Sequence, residues 1–185
     1  MFDQTQLYGG AINTVIPKGF LDVSLLREVP DTQEVYVNSR QEGEEFHDGL
    51  GRDESIIVDL LQEVEATNEL EALQTHINEL TTLNDATDCE YFKHDKPTDN
   101  SQICILMESA KKWGKPELQE NVVICMGLIR LLEYSTDVVI TINIPLGKTI
   151  NEDQDILEHP NIMAAYDLLR EMVKQFKVVD PSLFI

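Results

Sequence analysis

Basic residues are scarce in this sequence. Its 185 residues include 14 Lys and Arg against 34 Asp and Glu, which gives a formal net charge of −20 at pH 7. From Asp53 through Phe92 there are eleven acidic residues and no Lys or Arg. Such a field repels nucleic-acid backbones and anionic lipids, so we expect a basic or neutral partner and no direct nucleic-acid or membrane partner. A run of acids is also typical of a solvated face, and both interpretations stay open.

Cysteines are few, and long apolar runs are missing. Cys89, Cys104 and Cys125 are odd in number and match neither a disulfide framework nor a zinc motif, which favours a reducing compartment. No window supplies the roughly 20 apolar residues of a membrane span. The first ten residues, MFDQTQLYGG, lack the basic and apolar regions of a secretion signal. We therefore expect a soluble intracellular protein.

Catalytic and nucleotide-binding motifs are also missing. The four histidines, His47, His76, His94 and His159, never stand four residues apart, and we interpret them as exposed side chains outside any metal site. The acids between Glu42 and Asp48 do not follow calcium-loop spacing. We find no GxSxG, GxGxxG or phosphate-binding loop. We predict no enzyme activity, no metal and no cofactor.

Six segments have the composition of β-strands. They alternate apolar and polar residues or are rich in β-branched residues, and turn residues flank them. Ser55–Leu61 would also tolerate a helix, although its β-branched residues favour a strand. Val122–Leu132 is apolar at nearly every position, which predicts a central strand covered on both faces. The six predicted strands are residues 11–16, Glu34–Ser39, Ser55–Leu61, Ile103–Glu108, Val122–Leu132 and Val138–Leu146.

Two amphipathic helices are predicted. The first spans Asn68–Leu83, with Thr67 or Asn68 as cap, and the second begins at Asn161 and packs on the sheet. No repeat, linker or Pro/Gly cluster separates two domains, so we expect one domain over residues 1–185. Strands and helices without regular βαβ alternation predict an α+β fold, with helices around a mainly antiparallel sheet.

Several segments identify the chain with a known family. They are LYGGAINTVIP, LDVSLLREVPDTQEVYV, SIIVDLL, LIRLLEYSTDVVITINIP and VVDPSLF. Together they resemble the Mog family of Ran guanine nucleotide release factors, which are nuclear import factors with a fold similar to the PsbP proteins. The resemblance implies a six-stranded antiparallel sheet flanked by helices and a complex with Ran. It also implies release of GTP especially, and residence in the nucleus with access to the cytoplasm. We expect the protein itself to be a monomer.

The resemblance also implies which residues contact Ran. The family's contact surface is attributed to acids, and the matching positions are Asp22, Asp31, Glu34 and Asp59. Three residues after Asp59, where some relatives are acidic, stands Gln62, and the neighbouring Glu63 completes the predicted set. Asp22 has an alternative role, shared with Ser24, as the cap of a short helical turn, and Asp31 has one in an Asx turn.

The sequence also allows three further hypotheses. Trp113, between Lys112 and Lys115, is either an aromatic anchor for a partner or a core residue. The whole chain could instead be an acidic adaptor that binds basic transport proteins by charge and leaves nucleotide binding unchanged. A third class, a ligand-binding or enzymatic domain, would require a cavity between sheet and helix.

Overall fold

Antiparallel strands dominate the computed structural model, which describes residues 2–111, 119–146 and 155–184. Trp113, with Lys112 and Lys115, lies outside the described residues. The strands within the described ranges are β1 (Asp3–Leu7), β2 (Ile12–Ile16), β3 (Phe20–Asp22), β4 (Gln33–Asn38), β5 (Ser55–Gln62), β6 (Ala86–Asp95), β7 (Ser101–Lys111), β8 (Gln119–Leu131), β9 (Thr136–Pro145) and β10 (Lys177–Val178).

The strands form two sheets. The large sheet has seven strands in the order β3-β4-β5-β9-β8-β7-β6, and the small sheet has the order β1-β2-β10. The pairs are antiparallel, as predicted. The large sheet therefore exceeds the expected six strands by one. All six predicted strands are present, and the structure adds β1, β3, β6 and β10.

Two helices lie against the large sheet. Helix α1 (Glu69–Leu83) begins as predicted, because the Asn68 side chain accepts a hydrogen bond from the Glu71 amide at 3.0 Å. Helix α2 (Pro160–Gln175) begins one residue before the predicted Asn161. Proline suits the first turn of a helix because the amide it lacks would have no intrahelical partner there. None of the described helices is long and apolar enough to cross a membrane.

The large sheet separates two hydrophobic clusters. One face carries α2 and the small sheet, and Val138, Ile140, Ile142 and Ile144 of β9 point into this cluster, as their alternation predicted. The other face carries α1, with Ala72, Leu73 and Ile77 against β7 and β8. Strand β8 is central and buried on both faces, which confirms its prediction. Helix α1 covers only part of its face, and a groove remains beside it.

A glycine allows α2 to lie close to β8. A Cβ atom on Gly127 would stand 3.0 Å from Leu169 Cδ1 and 3.4 Å from Val173 Cγ2. The first distance is shorter than ordinary van der Waals contact, so a larger residue at this position would require the Leu169 side chain to shift. This close packing holds α2 on the face of the large sheet that also carries the small sheet.

Candidate functional site

Four of the five predicted contact residues lie at one edge of the large sheet, where β3, β4 and β5 are side by side, and Glu63 lies further along, beside Arg130 and Ser135. Asp22 ends β3, Glu34 lies on β4, and Asp59 lies on β5. Asp31 stands in the turn before β4, and Glu63 directly follows β5. We call Asp22, Asp31, Glu34, Asp59 and Glu63 the acidic edge.

Asp22 and Glu34 share the face of the sheet that carries α2. Asp22 is the register partner of Tyr36, two residues beyond Glu34, so the three side chains point to the same side. The Asp22 carboxylate also accepts a hydrogen bond from the Ser24 amide at 2.8 Å, which confirms the predicted cap of a 3₁₀ turn at Val23–Leu25. Burial raises the pKa of Glu34, and the nearby Asp22 charge raises it further. The two acids therefore repel each other across a partly desolvated surface.

Tyr8 joins this face of the acidic edge to the start of the chain. Its amide donates to Glu34 Oε1 at 2.5 Å, and its hydroxyl lies 2.8 Å from the Val58 carbonyl and 3.1 Å from that of Thr32. The backbone of Tyr8 has φ +51°, in the left-handed region, so the side-chain contacts hold an unfavourable conformation. Tyr8 is not among the predicted contact residues, and its only signal in the sequence is its place before the paired Gly9 and Gly10, which are typical of a turn.

Asp59 lies on the opposite face of the same strands. It is the register partner of Gln33 and Val139, and it borders the groove beside α1. Burial raises the pKa of Asp59, and a hydrogen bond from the Gln33 side chain opposes part of the rise. No described basic side chain contributes to the pKa shift of Asp59 or Glu34. The strands thus hold two carboxyls, one on each face, in surroundings that disfavour their charged forms.

Asp31 and Glu63 differ in the contacts that their carboxylates make within the protein. Asp31 is exposed, and no hydrogen bond among the described residues uses its carboxylate, so the alternative Asx turn does not form there. The turn instead closes through the Gln33 amide and the Pro30 carbonyl at 2.8 Å. Glu63 lies 3.4 Å from the Arg130 guanidinium, with a third of its side chain exposed. Asp31 is therefore free for a partner, and Glu63 already shares its charge with Arg130.

Two leucines stand exposed beside Asp22. Leu25 and Leu26, at the end of the 3₁₀ turn, are 74% and 69% exposed. Adjacent exposed leucines on a short turn are typical of a protein contact surface, since water disfavours them. Neither leucine is among the contact residues that the resemblance implies.

The prediction of four exposed histidines is wrong for His76 and, in part, for His159, which is half-buried. The His76 side chain is 2% exposed, and its Nε2 lies 2.9 Å from Asp137 Oδ2. Asp137 is fully buried and also accepts from Arg130 Nε and the Val64 amide, both at 3.0 Å. These donors lower the pKa of Asp137 against the opposing effect of burial. His76 was misjudged because it lies on the buried stripe of α1, between Leu73 and Ile77.

The described residues contain no group of three or more His, Cys, Asp and Glu that could hold a metal ion. Cys104 and Cys125 are buried, and desolvation raises the thiol pKa of Cys104 to about 12. In the segment from Glu42 to Asp48, Asp48 forms an ion pair with the buried Arg40, whose guanidinium also lies over the Phe46 ring. That part of the segment serves the local fold.

The sequence and the fold of this chain are similar to those of the same set of known proteins. A family model described as "Ran-interacting Mog1 protein" matches residues 5–145. The nuclear import protein MOG1 of Saccharomyces cerevisiae is 52% identical over 183 residues, which cover 98% of this chain and 84% of that protein. The Ran guanine nucleotide release factor of Homo sapiens is 28% identical over 149 residues, which cover 75% of this chain and 74% of the human protein.

Solved structures agree with the fold. The structure of a protein Mog1 point mutant has a TM-score of 0.90 and 51% identity, with all of both chains covered. The crystal structure of the Saccharomyces cerevisiae Ran-binding protein Mog1p has a TM-score of 0.88 and 50% identity, covering 100% of this chain and 99% of the other. With such coverage the likeness extends over the whole fold.

Proposed function

The chain belongs to the Ran-interacting Mog1 protein family, and from that membership we propose that it binds the GTPase Ran and stimulates release of guanine nucleotide, GTP especially. Family membership is the observation that carries the proposal. Relatives are named as nuclear import proteins and Ran guanine nucleotide release factors. The protein thus supports nuclear protein import, as a monomer that is present in the nucleus and the cytoplasm and binds neither nucleic acid nor membrane.

The acidic edge is the surface proposed to contact Ran. Its carboxylates suit a basic patch on the partner, and the exposed Leu25 and Leu26 supply an apolar anchor beside Asp22. Glu34 and Asp59 carry charge where burial disfavours it. A basic side chain of a partner would offset the free-energy cost of these partly desolvated charges. That compensation occurs only in the complex, so it favours binding.

Release of nucleotide requires no chemical step from this chain. A protein that binds empty Ran more tightly than loaded Ran must lower the affinity of Ran for nucleotide by the same factor. A thousandfold acceleration corresponds to roughly 4 kcal/mol of barrier lowering, which a few partly desolvated charge pairs and an apolar anchor supply. We therefore propose that the protein acts by binding and has no catalytic residue. An acid of the edge competes with phosphate or Mg²⁺ for a basic group of Ran.

The decisive experiment measures release of a fluorescent guanine nucleotide from purified Ran, with and without this protein. The double variant Asp31→Asn with Glu34→Gln should lose most of the acceleration, because it removes two adjacent charges from the acidic edge. Its fold should persist, since the amide oxygen introduced by Glu34→Gln can still accept from the Tyr8 amide and repulsion with Asp22 disappears. Thermal unfolding of the variant checks that point.

The matched control is the double variant Asp99→Asn with Glu90→Gln, which makes the same charge change at exposed residues. Glu90 lies on β6, at the other edge of the large sheet, and Asp99 lies in the turn that follows. It should accelerate release like wild type. Wild-type binding without acceleration would leave only the acidic adaptor, and equal activity of the two double variants would exclude the acidic edge as the contact surface.

A further inference from the structure

A groove of about 670 Å³ lies on the α1 face of the large sheet. It exists because α1 packs over β6, β7 and β8 and leaves part of β5 and β9 uncovered on this face. Apolar side chains form most of its surface, among them Met126, Val139 and the exposed Leu83. Asp59 of the acidic edge also borders the groove, so the groove and the proposed Ran surface are continuous.

A second carboxyl group lies in the groove without a full set of partners. Glu108 on β7 is 2% exposed, and its Oε2 accepts from Asn84 Nδ2 at 2.7 Å. Its Oε1 is buried and has no hydrogen-bond partner among the described residues. A buried acceptor without a donor is costly, and native structures rarely retain one. Within the part of the chain that the structure describes, Glu108 Oε1 is thus an acceptor that a partner's donor could use.

The charge of the groove selects the donor. Asp59, Glu79 and Glu108 border it, and none of the described residues that line it is Lys or Arg. His76 also lines it, but its Nε2 already binds Asp137. A cationic donor with an aliphatic stem fits such surroundings, since the stem covers apolar side chains while the head reaches the carboxylate. Lys and Arg side chains have this construction.

The register of the strands sets the length of the occupant. Asp59 pairs with Val139 of β9. Glu108 pairs with Val122, and Val122 pairs with Pro145, which is six residues after Val139 on β9. At about 3.4 Å per residue the two carboxyls are separated by about 20 Å along the strand direction. One side chain cannot contact both. An extended segment of roughly eight residues can, since three strand spacings of about 4.8 Å between β5 and β7 bring the direct distance to about 25 Å.

We propose that this groove receives an extended segment of Ran, in which a Lys or Arg side chain reaches Glu108 and apolar side chains lie on Met126 and Val139. The inference rests on the proposed function and adds a second contact surface to it, on the face of the sheet opposite Glu34. Asp59 connects the two surfaces. Glu108 then contributes to the affinity for Ran, although its side chain is buried in the free protein.

The first test is the variant Glu108→Gln, which keeps the size of the side chain and can still accept from Asn84. Its affinity for Ran, measured by titration, should fall about tenfold or more, as expected when one member of a buried charge pair is neutralised. Glu90→Gln is the matched control, because Glu90 lies on the neighbouring β6 but points to the opposite face. It should bind Ran like wild type.

A second variant, Leu83→Lys, tests the groove without touching a buried residue. Leu83 is 83% exposed, and a lysine there brings a tethered cation to the groove, where it competes with Ran. Leu132→Lys, at another exposed leucine away from the groove, is its control for the change in net charge. Affinity should fall severalfold more for Leu83→Lys than for Leu132→Lys.

The outcomes separate the two proposals. If wild-type protein binds Ran and accelerates release while Glu108→Gln and Leu83→Lys match their controls, the groove proposal is wrong and the proposed function stands. If wild-type protein does not bind Ran, both are wrong. If Glu108→Gln fails to fold, the Leu83→Lys comparison alone decides.

Discussion

At the scale of single residues, the carboxylate of Asp137 is held by partners from three parts of the fold. It is fully buried and bonded to Arg130, His76 and the Val64 amide, so one side chain joins β9 to β8, to α1 and to the segment after β5. A buried carboxylate is tolerated only when donors surround it. We interpret this network as structural, because it holds α1 at its distance from the sheet.

The substitution Asp137→Asn should destabilise the fold by about 3 kcal/mol at pH 7, because it removes the buried charge partner of Arg130 and leaves only the partly exposed Glu63 at 3.4 Å. The pKa of Asp137 is lowered in the folded protein, so the stabilisation is complete above the unfolded value of about 3.9 and is lost as pH falls through the folded pKa. Urea unfolding of both proteins between pH 7 and pH 3 measures the difference.

The gap between wild type and Asp137→Asn should therefore be widest near neutral pH and narrow in acid. Asp99→Asn, at an exposed residue, is the control and should change stability little at any pH. A gap that stays constant down to pH 3 would show that the charge of Asp137 contributes nothing.

At the scale of elements, alternation of apolar residues predicted the strands that lie inside the sheet and missed those at its edges. Strand β6 (ATDCEYFKHD) is an edge strand with polar residues on both faces, and β7 is its partner within the sheet. Strands β3 and β10 have three and two residues, too few for a periodic pattern. These strands form because they pair with other strands of the fold. A local sequence pattern contains no information about such pairing.

The 3₁₀ turn at Val23–Leu25 supports a prediction at this scale. Replacing Leu25 and Leu26 together by Ala should leave the melting temperature nearly unchanged, because both side chains are exposed in the free protein. It should weaken binding to Ran by about tenfold or more if they anchor the partner beside Asp22. Differential scanning calorimetry and a binding titration measure the two effects separately.

The control for the leucine pair is Leu132→Ala, an exposed leucine in the β8–β9 turn. It should change neither melting temperature nor affinity. Unaltered affinity of the Leu25 and Leu26 double variant would remove the apolar anchor from the proposed surface and leave the acids alone.

At the scale of the whole molecule, the net charge of −20 should govern the rate at which the protein meets a basic surface. Raising the salt concentration from about 20 mM to about 500 mM should lower the association rate with Ran by about tenfold or more, because screening shortens the range of attraction. The dissociation rate should change less, since partly buried contacts are screened less. Stopped-flow kinetics at several salt concentrations test this, and a salt-independent association rate would contradict it.

The candidate site was only partly accessible from sequence. Asp22, Asp31, Glu34 and Asp59 could be named from the resemblance, but their distribution over two faces of the sheet required the register of β4 and β5. Glu108 is more than 40 residues from any of them along the chain. Nothing in its local sequence distinguishes it, because its environment comes from α1 and from the neighbouring strands.

The small sheet also has a consequence for synthesis of the protein. Strand β2 pairs with β10, and the Thr14 hydroxyl donates to the Met172 carbonyl, 158 residues later. At about 5 to 20 residues per second, a ribosome needs roughly 8 to 30 s to translate that interval. During this time the apolar Ile12 and Ile16 have no α2 to cover them, and a nascent-chain chaperone can bind them. The N-terminal strands are translated first and reach their final packing last.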